Sequence, residues 1–306
     1  MKPLFVYSEA YRIGMAGLEK LHPFDINKYS SIHARLLSEG IILAEDVISP
    51  PPVTDEQLRL VHTQEFMAGL EDAKTVARFL EASWVAMFPM AVVESYVLKP
   101  LRYATGGTIV ACRQAMQRKG LVINLGGGFH HAKPFQGEGF CVFADMPIAI
   151  SVLRKEKLVK RVLVIDLDVH QGNGTALCCA KDDDTYTFSM HQEDLYPIPK
   201  EKSTLDVSLS VGTNDEEYLS LLEKHLPKLL DEARAELVIY QAGCDPIKGD
   251  PLANLAMSAK GIQSRDRYVI ESCRERNIPV AMTLGGGYSK DAWLIQFQSI
   301  RELVTH

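Results

Sequence analysis

Six short apolar runs, separated by longer stretches with helical periodicity, leave few folds open to this sequence. Each run has four to six residues and is mostly apolar at consecutive positions, which is typical of strands buried on both faces in a parallel sheet. Strands that alternate with helices predict a parallel sheet sandwiched between helices. The predicted strands are 4–7, 121–125, 162–167, 186–190, 237–241 and 280–284, and the clearest predicted helices are 64–80, 107–118, 214–233 and 258–276.

The chain is expected to form a single α/β domain over residues 1–306, because no low-complexity linker or internal repeat divides it. A hydrophobic content of 46% supplies the apolar side chains of a large core. In open parallel sheets, ligands bind beyond the carboxyl ends of the strands. The active site is therefore expected at that edge of the sheet.

The composition also argues against some partners and locations. A formal net charge of −6, without a basic run, predicts that the chain does not bind nucleic acid directly. No stretch reaches the roughly 18 apolar residues of a membrane span, and no signal-peptide pattern opens the sequence. The six cysteines show no C-x-x-C spacing, so we expect reduced thiols and a cytoplasmic location.

Three residues of metal-binding type alternate at the end of the apolar run 162–167. Asp166, Asp168 and His170 would share one face of an extended chain. Burying two carboxylates and an imidazole together is costly unless a cation or hydrogen bonds compensate. A strand end that turns towards solvent would account for one aspartate, but it accounts poorly for three such residues. The pattern predicts a metal site.

Asp245 follows the run 237–241 and would lie at the same edge of the sheet. An aspartate before proline is by itself more typical of a turn, and only the company of Asp168 and His170 makes it a third ligand. Three protein ligands leave one position of tetrahedral zinc open for water or substrate, which is typical of catalytic zinc sites. We therefore predict one catalytic Zn²⁺ ion.

Glycine triplets follow two other apolar runs and carry polar side chains to the same edge. One triplet, at 126–128, precedes His130 and His131, and the other, at 285–287, precedes Tyr288. Two histidines beside a metal-bound water can serve as general base and general acid. A tyrosine hydroxyl can donate a hydrogen bond to a developing oxyanion. With the metal site, these residues predict amide hydrolysis without a serine or cysteine nucleophile.

The segments GGGFHHA, GFCVFAD, VIDLDVHQGNG, QAGCDP and TLGGGY, in this order, resemble the signatures of zinc-dependent histone deacetylases. Segments around His22, His62 and Thr105 also fit, and the wording is most similar to class IV histone deacetylases and their bacterial relatives. The resemblance implies an arginase/deacetylase-like fold. It also implies removal of acetyl or longer fatty-acyl groups from lysine side chains of proteins or peptides.

The resemblance further implies roles for individual residues. The implied zinc ligands are Asp168, His170 and Asp245. The implied catalytic residues are His130, His131, Tyr288, Asp166, which orients His130, and Asn173, which pairs with His131. A structural K⁺ ion would be held by Asp166, Asp168, His170 and Ser189. The walls of the acyl-lysine channel would be Gly139, Phe140, Tyr196 and Gly286.

One position departs from the class I pattern. The residue that pairs with the second histidine is an aspartate there, but it is Asn173 here. Without a neighbouring carboxylate, His131 should be less basic and should stay neutral more easily. A neutral His131 would suit a general base.

Several other functions share parts of this pattern. An arginase-like site with two manganese ions would need further carboxylates, but the next alternating positions hold Gly172 and Ile247. An acetylpolyamine hydrolase would use the same zinc chemistry on an acylated small amine. A scaffold that binds acyl-lysine without turnover would be expected to lack a ligand, a catalytic histidine or the tyrosine. All of these residues are present, so hydrolysis is favoured.

Overall fold

Eight parallel strands form one sheet at the centre of the computed structural model, which describes residues 3–305. The strands are β1 (Leu4–Val6), β2 (Val47–Ile48), β3 (Leu121–Asn124), β4 (Val162–Asp166), β5 (Thr185–Gln192), β6 (Leu205–Leu209), β7 (Leu237–Gln241) and β8 (Val280–Thr283). Their order is β2-β1-β3-β8-β7-β4-β5-β6, and every neighbouring pair is parallel. The predicted parallel α/β fold is confirmed.

All six predicted strands are present, and two further strands form the edges of the sheet. The edge strand β2 has only two residues, both half-buried, so it leaves no apolar run in the sequence. The other edge strand, β6, alternates between exposed Asp206 and Ser208 and buried Val207 and Leu209. Its period-two pattern is typical of a strand with one covered face, not of the doubly buried runs that the sequence analysis used.

Helices cover both faces of the sheet. Within residues 3–305 the α-helices are α1 (Lys28–Ser38), α2 (Asp55–Leu58), α3 (Gln64–Gly69), α4 (Ala73–Phe79), α5 (Met90–Val93), α6 (Lys99–Arg118), α7 (Asp145–Lys155), α8 (Asn173–Cys179), α9 (Asp215–Ala233), α10 (Ala259–Glu275) and α11 (Ala292–Thr305). A π-helical turn at Glu94–Leu98 joins α5 to α6.

Two of the four predicted helices differ from the structure. The predicted helix 64–80 is two helices, α3 and α4, because the side chain of Asp72 accepts the backbone N–H groups of Lys74 and Thr75 and so begins a new helix. The predicted helix 107–118 begins earlier, at Lys99. Gly106 lies inside this helix, where a Cβ atom would lie 2.0 Å from the carbonyl oxygen of Pro51, so the glycine allows the close approach of that segment. The helices predicted at 214–233 and 258–276 match α9 and α10.

The sheet separates two apolar cores, and alternate residues of each strand contribute to each core. In β4, Leu163 and Ile165 pack into the core under α1, α9, α10 and α11, while Val162 and Val164 pack into the core under α3 to α7. This double burial explains the continuous apolar runs in the sequence.

A single sheet with its helices makes one domain. The predicted extent, residues 1–306, stays a prediction, because residues 1, 2 and 306 lie outside the described range. Among residues 3–305, no helix combines the length and the apolar character that a bilayer span requires.

Candidate active site

Asp168, His170 and Asp245 meet at the carboxyl edge of the sheet, just beyond β4 and β7, and all three are buried. One ligand atom from each lies within 4.8 Å of the others. The Nδ1 atom of His170 lies 3.1 Å from Oδ1 of Asp168 and 3.3 Å from Oδ2 of Asp245. A tetrahedral ion with ligands at about 2.0–2.2 Å would separate neighbouring ligand atoms by about 3.3–3.6 Å. The donor atoms therefore suit a small divalent cation.

The electrostatics of this cluster also favour a cation. Burial lowers the pKa of His170, but the carboxylates of Asp168 and Asp245 outweigh it and raise that pKa to about 10. Burial and the nearby charge of Asp168 raise the pKa of Asp245 to about 7. The buried Oδ2 atom of Asp245 accepts no hydrogen bond from residues 3–305. A metal ion would compensate both carboxylates and would occupy this free lone pair.

Backbone groups hold the two carboxylates in place. The N–H of Gly286 donates to Oδ2 of Asp168 over 2.8 Å, and the N–H of Val169 donates to Oδ1 of Asp245 over 2.9 Å. A Cβ atom on Gly286 would lie 2.1 Å from Oδ2 of Asp245. Only glycine lets this backbone approach the cluster so closely.

Arg265, in α10, connects the chain segments that follow β4 and β7. Its side chain is fully buried, and Nη1 donates to the carbonyl oxygens of Leu167 (3.0 Å) and Gly243 (2.8 Å), while Asp266 balances the charge. These two carbonyls directly precede Asp168 and come two residues before Asp245. Arg265 therefore sets the distance between the two candidate carboxylate ligands.

Arg265→Lys is expected to weaken Zn²⁺ binding about 10- to 100-fold, because one ammonium group cannot contact both carbonyls and Asp266 at once as the guanidinium does. Competition with a chromophoric chelator measures the affinity. Arg267→Lys is the matched control, since Arg267 lies on the same helix and pairs with Glu302 at the surface. Equal affinity of the Arg265 variant and the wild type would contradict this role.

The two histidines lie side by side, with ring centroids 4.0 Å apart. Nδ1 of His130 lies 2.8 Å from Oδ2 of Asp166, and Nδ1 of His131 lies 2.7 Å from Oδ1 of Asn173. Burial lowers the pKa of His130, but Asp166 and Asp168 outweigh it and raise that pKa to about 9. Burial and the charges of the neighbouring histidines hold the pKa of His131 well below its usual range. These opposite shifts favour a protonated imidazole at His130 and a neutral one at His131.

Asn173→Asp is expected to raise the pKa of His131, because a carboxylate favours the imidazolium. A general base must be neutral, so the acidic limb of kcat/KM against pH should move to higher pH. The expected shift is about one pH unit, at the lower end of the range for adjacent charges. The new carboxylate would lie next to Glu138, whose Oε1 atom is 2.6 Å from the present amide nitrogen, and repulsion between the two carboxylates would oppose ionisation of residue 173. An unmoved acidic limb would contradict the pairing of residue 173 with the catalytic base.

The loop that carries the histidines is fixed by Asp145, the first residue of α7. Its buried carboxylate accepts the N–H groups of Gly128 and Phe129, both over 2.8 Å, and the hydroxyl of Thr108 over 2.6 Å. Gly127 and Gly128 have φ values of 70° and 81°, in the left-handed region that glycine adopts without strain. The glycine triplet therefore makes the turn, and Asp145 holds the N–H groups of Gly128 and Phe129.

Tyr288 is carried by a second loop that Lys28 and Asp250 hold. The buried ammonium of Lys28 donates to the carbonyl oxygens of Gly285 (2.6 Å) and Gly286 (3.2 Å). The carboxylate of Asp250 accepts the N–H of Tyr288 over 2.8 Å. The ring of Tyr288 stands perpendicular to that of His170, with centroids 6.0 Å apart. The tyrosine is thus directed at the candidate metal cluster.

The four predicted channel residues surround this centre. Gly139 and Phe140 have φ values of 53° and 68°, and the Phe140 ring lies 6.0 Å from that of Tyr288. The ring of Tyr196 lies 4.9 Å from that of His131. Gly286 lines the same cavity as Gly139 and Phe140.

The cavity continues inward from these residues. Its volume is about 80 Å³, and its lining is mostly apolar. It extends from His130 and Tyr288 to side chains of α6 and of the segments before it. Its apolar lining includes Ile13, Ile26, Leu80, Trp84, Val85, Val97 and Leu101.

The predicted monovalent-cation residues also come together. Asp166 and Ser189 are paired in the β4–β5 register, and the N–H of Asp168 donates to Oδ1 of Asp166 over 3.2 Å. The hydroxyl of Ser189 has a partner that the sequence did not indicate, because it lies 2.9 Å from Nδ1 of His191.

The sequence is similar to those of known proteins. The sequence profile of the histone deacetylase domain matches residues 22–300. This chain belongs to the histone deacetylase family. It is 39% identical over 305 residues to histone deacetylase 2 of Arabidopsis thaliana, covering 99% of this chain and 79% of that protein. It is 38% identical over 274 residues to an uncharacterized protein of Picosynechococcus, covering 88% of each chain.

A solved structure has the same fold. The crystal structure of the HDA15 HD domain matches with a TM-score of 0.79 at 19% identity, covering 99% of this chain and 90% of that one. Membership of the histone deacetylase family makes the chain a hydrolase of deacetylase type. The predicted superfamily is thereby confirmed, while its class IV assignment stays a prediction.

The sequence analysis did not single out several charged residues that hold backbone around the candidate site, among them Lys28, Asp145, Asp250 and Arg265. Each is a charged group that holds loop backbone rather than facing the cavity centre. Lys28 left one signal in the sequence. It is spaced by four and eight residues from the buried Ile32 and Leu36, which places a charge on the apolar face of α1.

Proposed function

We propose that this chain hydrolyses the amide of N-acyl-lysine side chains with one zinc ion held by Asp168, His170 and Asp245. The observation that carries the proposal is the convergence of three buried donor atoms, all within 4.8 Å of one another, beside a histidine pair and a tyrosine. Zinc at this position would polarise the amide carbonyl and lower the pKa of a bound water. The remaining steps belong to the side chains around it.

The lowered pKa of His131 suits it to accept the proton of the attacking water at Nε2, the ring nitrogen that does not contact Asn173. His130, held protonated by Asp166, stabilises the negative charge that develops and supplies a proton to the departing lysine amine. Tyr288 donates its hydroxyl proton in a hydrogen bond to the oxyanion. Phe140 and Tyr196 flank the lysine stem, and their rings exclude water from it.

We propose further that the preferred acyl group is longer than acetyl. The apolar lining of the cavity reaches Leu80, Val85 and Leu101, so a fatty chain that extends from the reacting carbonyl could contact apolar side chains that an acetyl group leaves uncovered. Each buried methylene contributes about 0.8 kcal/mol in transfer from water. A cavity lined in this way therefore favours substrates with long acyl chains.

The test compares one lysine peptide carrying acetyl, octanoyl or myristoyl groups, with and without a zinc chelator. We expect chelator-sensitive turnover, with kcat/KM higher for octanoyl or myristoyl than for acetyl. Preference for acetyl would overturn the acyl-length proposal alone. Turnover of acetylpolyamines but of no peptide would identify acylated small amines, not lysine peptides, as the substrate. Bound zinc without any turnover would favour a binding scaffold.

A variant that narrows the cavity tests the chain-length proposal directly. Ile13→Trp is expected to lower kcat/KM for the myristoyl peptide at least about 10-fold, as for a hydrophobic pocket that loses room for methylenes. Acetyl-peptide turnover should change less than twofold. Ile41→Trp is the matched control, because Ile41 is also half-buried but packs in the other core. Equal losses for both acyl groups would contradict an acyl chain beside Ile13.

The finer assignments rest on the same site. One group of three His, Cys, Asp or Glu side chains converges within residues 3–305, which supports one metal ion over an arginase-like pair. The proximity of Asp166 and Ser189 supports a structural K⁺ ion beneath the zinc site.

All six cysteines are free, which supports a location in the reducing cytoplasm.

A further inference from the structure

The orientation of the Asn173 side chain determines which nitrogen of His131 can act as a base. An amide oxygen beside Nδ1 requires that nitrogen to carry the proton, and it leaves the lone pair on Nε2. An amide NH₂ group beside Nδ1 would reverse this tautomer, so that Nε2 could accept no proton. Asparagine, unlike aspartate, can present either group, so something must select its orientation.

Glu138 makes that selection. Its Oε1 atom lies 2.6 Å from Nδ2 of Asn173, on the side of the amide opposite to His131. An ionised carboxylate only accepts hydrogen bonds, so it can face the NH₂ group but not the oxygen. If the amide flipped, two oxygens would abut at this distance and the donor to Glu138 would be lost.

Glu138 is itself held firmly by its neighbours. Nζ of Lys133 lies 3.0 Å from Oε1, and Nε2 of Gln136 donates to Oε2 over 2.9 Å. Its backbone exchanges two hydrogen bonds with Cys141, of 3.1 and 2.9 Å, which close the loop that contains Gly139 and Phe140. The carboxylate is mostly buried, with 17% of its side chain exposed. It is therefore a rigid acceptor and not a mobile surface charge.

We propose that Glu138 is a positioning residue that fixes the Asn173 amide and, through it, the catalytically competent tautomer of His131. The three side chains form a His–Asn–Glu series in which the carboxylate lies one residue further from the imidazole than in a His–Asp pair. The proposal rests on the proposed hydrolysis for its kinetic consequence, but the tautomer itself does not depend on any activity.

Glu138 has a second contact that the test must separate from the first. The hydroxyl of Tyr196 also lies close to Glu138, and burial and this carboxylate raise the pKa of that hydroxyl. Replacement of Glu138 could therefore loosen the channel wall as well as the amide. A loosened wall would affect activity whatever residue stands at position 173, whereas loss of amide orientation matters only when that residue is asparagine.

The first measurement is the tautomer of His131, read from long-range ¹⁵N–¹H correlations of the imidazole ring in the folded protein and assigned with His131→Gln. The wild type is expected to show the Nδ1–H form, and Glu138→Ala is expected to show the Nε2–H form or a mixture. Gln136→Ala, which removes the donor to the other carboxylate oxygen, should keep the Nδ1–H form. An unchanged tautomer in Glu138→Ala would overturn the proposal, even for a protein without turnover.

The second measurement is a cycle of kcat/KM values with Asn173→Asp. Glu138→Ala alone is expected to cost about 10- to 100-fold, the range for groups that orient an active-site ligand or base, and Glu138→Gln, which keeps an acceptor, should cost less. In the Asn173→Asp background, Glu138→Ala should cost nothing or increase kcat/KM, because it separates two carboxylates. An equal loss in both backgrounds would show that Glu138 supports only the loop, and would overturn the proposal.

Discussion

Tyr288→Phe is expected to lower kcat for acyl-lysine hydrolysis by about 10²- to 10³-fold, the cost of removing one oxyanion donor. Burial and the charges of Asp168 and Asp245 raise the pKa of the Tyr288 hydroxyl well above its usual value, so the hydroxyl stays a donor at all working pH values. Within residues 3–305 this hydroxyl makes no hydrogen bond of its own, so its loss should leave the folded structure unchanged.

The measurement is single-turnover and steady-state kinetics on the preferred acyl peptide. Because the hydroxyl acts mainly on the transition state, kcat should fall while KM changes little. Metal content and Tm of the variant should match those of the wild type. A decrease in kcat of less than about threefold would contradict the role of Tyr288 as a donor to the oxyanion. Even a neutral hydrogen bond of about 1 kcal/mol corresponds to more than that factor.

The second large effect is expected from Asp245→Asn. Loss of a charged ligand from a three-ligand site should lower turnover by at least about 10³-fold, because the amide retains the shape but not the charge that holds the ion. Zinc should also stop stabilising the fold. A ligand at a thousand times its Kd stabilises the native state by about 4 kcal/mol, so the wild type should show a zinc-dependent rise in Tm that the variant lacks.

The metal-free variant gives an internal control. Burial and Asp168 raise the pKa of Asp245, so its carboxylate is poorly solvated without a metal. Replacing it by an amide should therefore not lower the Tm of the metal-free protein. Asp183→Asn, at an exposed position, should keep the full response to zinc. A zinc-dependent Tm rise in Asp245→Asn equal to that of the wild type would contradict the ligand assignment.

The sequence predicted the central sheet well, because strands buried on both faces give continuous apolar runs. The run before Asp166 is an example, with Leu163 and Val164 facing opposite cores. The edge strand β6 was missed because only one of its faces is covered. The predicted helix 64–80 was wrong in its continuity, because Asp72 can serve equally well as a surface residue or as a cap, and the choice depends on tertiary packing.

The candidate site was predictable as far as the residues that face its centre. Strand ends of a parallel sheet meet at one edge, so Asp168 and Asp245 could be brought together from their positions after two apolar runs. The groups behind them could not be predicted in this way. Arg265 contacts carbonyls of residues 167 and 243, and Glu138 contacts the amide of residue 173, so each role exists only through a distant partner. One sequence carries no record of such pairs.

The most direct test of the account is a titration of metal-free protein with Zn²⁺, followed by both metal analysis and hydrolysis of the preferred acyl-lysine peptide. The account predicts that turnover rises linearly and saturates at one equivalent of zinc per chain, with no such rise for Asp245→Asn. Full turnover in metal-free protein, or saturation only at two equivalents, would contradict a single catalytic zinc ion held by Asp168, His170 and Asp245.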